Sequence, residues 1–154
     1  MNKMINNNYN YYGKEHQILV KNRLYEGIEN IHDLYDALTH SWSRETCTSR
    51  LRHKWNETDY TCGQCAITAF LVQDIFGGDI YEIPLETGGV HCFNIVDGKA
   101  VDLASEQFGD RVKDLDYQGA TLQDREFRML EPEKKDRYEL LKSNLTTYLS
   151  NNKN

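Results

Sequence analysis

An α+β domain is the fold class this sequence predicts, and three observations carry the prediction. An apolar run bounded by Gly63 and Gly77-Gly78 reads as a buried helix. Residues 79–103 alternate and are broken by Asp97-Gly98, as in an antiparallel hairpin. A C-terminal segment places Tyr138, Leu141, Leu145 and Leu149 at spacings of three and four. The expected core is a central helix carrying Cys65 packed on an antiparallel β-sheet. The 154 residues suit one domain at 15–150, preceded by a flexible arm at 1–14 that is rich in Asn and Tyr.

Taken in order, Glu15 to Ile28 offers Ile18, Leu19, Leu24, Tyr25 and Ile28 as one face of a helix, with a short strand at 18–20 as the alternative. Asn30 has the character of an N-cap, and Ile31, Leu34, Tyr35, Leu38 and Trp42 follow at helical spacing to about Ser43. The polar stretch 44–61, with Trp55 isolated in it, is long enough to wall a cleft. After the Cys65 helix, 79–85 reads as a strand ended or edged by Pro84, and 90–96 and 99–103 form the hairpin. Residues 105–110 read as a loop or short helical turn, and 111–130 carry no assignable pattern. Pro132 opens a final amphipathic helix, about 133–149.

Composition restricts the partners. A hydrophobic fraction of 39%, a charged fraction of 27% and 10 Tyr, 5 Phe and 2 Trp suit a globular chain. A net charge of -6 without a Lys/Arg cluster argues against nucleic acid or an anionic membrane as partner. The longest unbroken apolar run, Ala69 to Val72, is far too short to span a bilayer, and the N-terminus lacks an apolar signal region. A cytoplasmic location with four reduced cysteines is the expectation.

Chemistry concentrates at Cys65. Gly63 turns the chain sharply, so Cys65 falls in the first turn of the helix, where unpaired N–H groups and the positive dipole end favour a thiolate. If Asp97-Gly98 is a two-residue loop, paired residues in the hairpin sum to 195. His91, Phe93 and Asp102 then share one face, and Asp102 lies within diagonal reach of His91. A cysteine, a histidine to take and return its proton, and a carboxylate to fix the imidazole make a Cys65-His91-Asp102 triad for thiol catalysis, with no cofactor. Two rival readings use the same residues. Cys62-x-x-Cys65 has zinc or dithiol spacing, although adjacent strand residues His91 and Cys92 point to opposite faces. A binding module that keeps the fold without turnover is the other.

Gly63-Gln64-Cys65 heading an apolar helix, followed by His91-x-Phe-Asn and Val101-Asp102-Leu103, resembles the papain-like and transglutaminase-like cysteine hydrolase core. More closely, Gly63-Gln-Cys-Ala-Ile-Thr-Ala, Val72-Gln-Asp-Ile-Phe-Gly-Gly, Asp102-Leu with Glu106-Gln-Phe108, and Arg137-Tyr-Glu-Leu-Leu-Lys142 resemble the small, uncharacterised bacterial YunG-like family, over roughly 38–145. The broader resemblance implies a papain-like fold and a hydrolase or acyl transferase acting through a thioester at Cys65. Its substrate would be an amide- or thioester-bearing peptide or small molecule. Papain-like proteases place an oxyanion Gln several residues before the nucleophile, where this chain has Thr58, Asp59 and Tyr60. Oxyanion donors are therefore sought at the Cys65 N–H and at Gln64, Trp55 or Asn94. Each has a structural alternative: Gln64 as a turn ligand, Trp55 as a cleft wall, and Asn94 on the face opposite His91.

Overall fold

A computed structural model describes residues 9–152. It is a mixed α+β structure whose four-stranded antiparallel sheet has the order β3-β2-β1-β4. The strands are β1 (Asp79–Pro84), β2 (Val90–Val96), β3 (Lys99–Val101) and β4 (Thr121–Leu122). The helices are α1 (Ile31–Leu38), α2 (Cys65–Phe76), α3 (Arg125–Arg128) and α4 (Pro132–Asn151).

The α2 helix is the hub, packed between the sheet and α4. Phe70, Leu71, Val72 and Phe76 are fully buried in one core with Ile80, Cys92, Val96 and Val101 of the sheet and Tyr138, Leu141 and Leu145 of α4. Each large apolar side chain so buried contributes roughly 1.5–3 kcal/mol. This explains an apolar run too rich for a helix with one wet face. The opposite sheet face carries a smaller cluster of Ile83, Phe93 and Tyr117.

Local chemistry accounts for the element ends. Asn30 caps α1 by accepting from the Asp33 N–H at 2.9 Å. The helix stops earlier than expected because Thr39 turns its hydroxyl to the Asp36 carbonyl, while His40 and Ser41 bond three residues back rather than four. Trp42 still reaches the core and donates to the Thr68 hydroxyl at 2.9 Å. The expected helix at 15–28 does not form. Ile18 and Ile28 are buried, but Leu19 and Leu24 are exposed, so these residues share no single face. The chain is held there by a bridge between Leu19 and Asn30, nearer to the short-strand alternative.

The β2–β3 turn has the conformation its sequence predicts. Asp97 and Gly98 have φ of 54° and 77°, as a type I′ turn requires. Asn94 pairs with Val101, Ile95 with Ala100 and Val96 with Lys99, the expected register. The β3 strand ends at Val101 because Asp102 pairs instead with the N-terminal segment, donating its N–H to the Tyr12 carbonyl at 2.9 Å. The part of the expected arm from Tyr9 onward is therefore docked. Tyr11 is buried in the core, and the Tyr12 ring stacks on Tyr117 at 3.8 Å. Residues 1–8 of that arm lie outside the described residues.

Between 111 and 130, β4 pairs with β1 through Tyr81–Leu122 and Glu82–Thr121, and Asp124 caps α3. Among the described residues no helix is long and apolar enough to cross a membrane.

Candidate active site

The turn before α2 is fixed from three sides. Gly63 has a φ of 71°, and a Cβ there would lie 2.5 Å from the Cys47 sulfur. Gln64, fully buried, accepts from the Thr46 hydroxyl at 2.9 Å and donates to the Ser43 carbonyl at 3.0 Å. Arg137 of α4, also buried, donates to the Thr46 and Gly63 carbonyls at 3.0 and 3.3 Å. Substituting Gly63→Ala is expected to cost about 2–3 kcal/mol through backbone strain and the sulfur contact. That corresponds to a fall in Tm of roughly 5–10 °C in a chain of this size. A melt that matches the wild type would refute the crowding at this turn.

So held, Cys65 opens α2 and meets β2 near its start. His91 is 1% exposed, and its Nε2 is 2.6 Å from Asp102 Oδ2. That leaves Nδ1 as the ring nitrogen not engaged by Asp102, and Cys65 is a near neighbour of the ring that favours its charged form. Asp102 is held in turn by the Tyr117 hydroxyl, which donates to Oδ2 at 2.7 Å, and by the Ala104 N–H at 3.2 Å from Oδ1. The Phe108 ring packs edge-on against the imidazole, with centroids 4.7 Å apart.

The electrostatics favour a charged pair. The Cys92 thiol donating to Cys65, together with the neighbouring His91 cation, holds the Cys65 thiol well below its usual range despite burial. Cys92, which gives that hydrogen bond from a buried position, is pushed upward and stays a thiol, with Gln123 donating to its sulfur at 3.1 Å. Burial disfavours the imidazolium of His91, but Asp102 and Cys65 outweigh it and raise the group to about 10. The arrangement can hold a thiolate–imidazolium pair at neutral pH.

A cleft of about 620 Å³ opens onto Cys65 and His91. Residues 48–54 form one wall, as expected of the polar stretch, and Gln107, Phe108 and the start of α4 form others. None of the three expected side-chain oxyanion donors lines it. Gln64 is committed to Ser43 and Thr46. Trp55 donates to the Tyr60 carbonyl at 2.9 Å under Arg44, and Asn94 is buried against α2, donating to the Ala69 carbonyl at 2.9 Å. In each case the amide or indole satisfies a local carbonyl that burial would otherwise leave unpaired. Gln107, which does line the cleft, is committed as well, donating to the Ala104 carbonyl at 2.9 Å, so the first-turn N–H groups of α2 remain as donors there.

Sequence reasoning missed Tyr117, which lies in a stretch without periodicity. It also passed over Gln107, Phe108 and Arg137, although all three stand inside quoted motifs. His91 and Cys92 alternate along β2 as expected, and Cys65, at the helix end, is a near neighbour of both. Cys62 goes elsewhere, against Cys47, where burial raises both thiols, Cys47 to about 11. Among the described residues no three His, Cys, Asp or Glu side chains are grouped to hold a metal ion.

The molecule is an α+β protein in which a thiol at the start of α2, an imidazole on β2 and a carboxylate just past β3 come together. The family model of YunG protein matches residues 30–150, and the chain belongs to that family. It is 39% identical over 71 residues to "Uncharacterized protein YunG" of Bacillus subtilis (strain 168), a match covering 46% of this chain and 56% of that protein. The chain thus spans a little over half the length of the curated relative it matches. No solved structure matches it.

Proposed function

We propose that this protein is a cysteine hydrolase or acyl transferase with a papain-like or transglutaminase-like core, acting on an amide or thioester. The observation that carries the reading is the buried 2.6 Å contact between His91 Nε2 and Asp102 Oδ2, with Cys65 beside the ring at the first turn of α2. The Cys65 thiolate attacks the carbonyl carbon, and the oxygen takes the negative charge, facing the first-turn N–H groups of α2. His91 gives its proton to the leaving amine or thiol as the bond to carbon breaks, and a thioester to Cys65 remains. The neutral imidazole then takes a proton from water or an acceptor amine as that group attacks the thioester, restoring the ion pair. Asp102 keeps Nε2 engaged so that Nδ1 faces sulfur, and Tyr117 holds Asp102.

Incubation with p-nitrophenyl acetate tests the covalent step. The expected result is an acetyl adduct on the peptide containing Cys65, transient in the wild type and absent in Cys65→Ala. Acetylation spread equally over the four cysteines, or confined to Cys47 or Cys62, would refute the assignment.

A further inference from the structure

The chain carries a net charge of -6, yet the Lys and Arg residues lining the cleft at Cys65 outnumber its Asp and Glu. Several are already neutralised. Arg128 forms a forked pair with Glu82, and Lys134 pairs with Glu131. Arg137 faces Glu133 and binds backbone carbonyls behind the site. Arg50, Lys54 and Arg111 line the same cleft, and no ion pair joins them to a carboxylate among the described residues. The one remaining acid of the lining is Asp59, whose carboxylate is disfavoured by burial.

These three cations come from two walls. Arg50 and Lys54 project from the 3-10 helix Ser49–Lys54, and Arg111 from the segment Ser105–Asp114 that also supplies Gln107 and Phe108. Arg50 reaches across to Gly89, just before the strand bearing His91, for its guanidinium would lie 3.0 Å from a Cβ placed there. In a protein with excess negative charge, unpaired cations gathered at one concave site focus a positive potential on it.

We infer that the substrate of this site is anionic, carrying a carboxylate or phosphate near the acyl carbon that Cys65 attacks, with Arg50, Lys54 and Arg111 binding that charge. The inference rests on the reading of Cys65 as a nucleophile. It requires no change in the chemistry, since the cations bind the substrate away from the bond that breaks.

The test compares alkylation of Cys65 by anionic iodoacetate and neutral iodoacetamide in the full chain, each normalised to its rate with glutathione. The normalised preference for iodoacetate should fall about three- to tenfold in Arg50→Gln/Arg111→Gln, while the iodoacetamide rate is unchanged. It should also fall with added salt. Both side chains are exposed, so the variant keeps the fold. An unchanged preference in the variant leaves the nucleophile standing and overturns the anionic cleft alone. A Cys65 unreactive to both reagents overturns the nucleophile, and the inference falls with it. Protection of Cys65 from iodoacetamide by N-acetylglutamate or phosphoserine, but not by the uncharged N-acetylglutaminamide, would support the inference and identify the anion; equal protection by all three would overturn it.

Discussion

Alkylation of Cys65 by iodoacetamide is expected to have a flatter pH profile below neutrality than that of an ordinary thiol, and His91→Ala should steepen it toward the tenfold rise per pH unit, with Cys92 still lowering the thiol. A free thiol near pKa 8.5 is only about 0.3% thiolate at pH 6. Cys65, held well below its usual range by Cys92 and by the His91 cation, is expected to carry a larger thiolate fraction there. The gain in thiolate is partly offset by the lower nucleophilicity of a more acidic thiol. The slope discriminates better than the rate. A wild-type profile that climbs like that of a free thiol, or one that His91→Ala does not steepen, would defeat the ion pair. On the alkaline side the directions differ. The raised His91 stays protonated through neutrality and loses its proton as pH rises through about 10. Acyl transfer, which needs that proton for the leaving group, should decline there while alkylation continues.

Arg137→Ala should lower stability by about 3 kcal/mol, read as a fall in Tm of roughly 6–12 °C. Arg137 is 4% exposed, and its guanidinium ties α4 to the segment before α2 through the Thr46 and Gly63 carbonyls. Truncation removes a donor from the Thr46 and Gly63 carbonyls, of which Gly63 keeps the Thr48 N–H at 3.1 Å, and opens a void beside Glu133. Arg137→Lys retains the charge but not the planar fork and should recover only part of the loss. If Arg137→Ala melts with the wild type, the turn is held without α4. A destabilised variant that keeps the flattened Cys65 alkylation profile would assign Arg137 to the scaffold alone.

Both experiments probe a site that was partly visible before any coordinates. The Asp97-Gly98 turn fixed the hairpin register, because a two-residue type I′ loop leaves one pairing open to the strands. That pairing placed Asp102 diagonal to His91, and the glycine before Cys65 placed a thiol on a helix start. The buried character of α2 was equally local, since its apolar residues cover the whole helix circumference. These features depend on residues close in sequence, whose backbone preferences do not wait for the rest of the chain.

What only the tertiary structure decided lies at longer range. Gln64, Trp55 and Asn94 are polar side chains beside the right elements, and nothing local tells which carbonyl each will satisfy. Packing gave them Ser43, Tyr60 and Ala69. Tyr117 reaches Asp102 from 15 residues away, and Arg137 reaches Gly63 from 74. Cys62 and Cys65, three apart, were separated toward Cys47 on one side and His91 with Cys92 on the other. The sequence by itself determined the thiol, its helix, and the pairing that brings imidazole to carboxylate. The packing of distant segments decided which polar groups remain to face a substrate, because every buried donor and acceptor must find a partner and most of those partners are far along the chain.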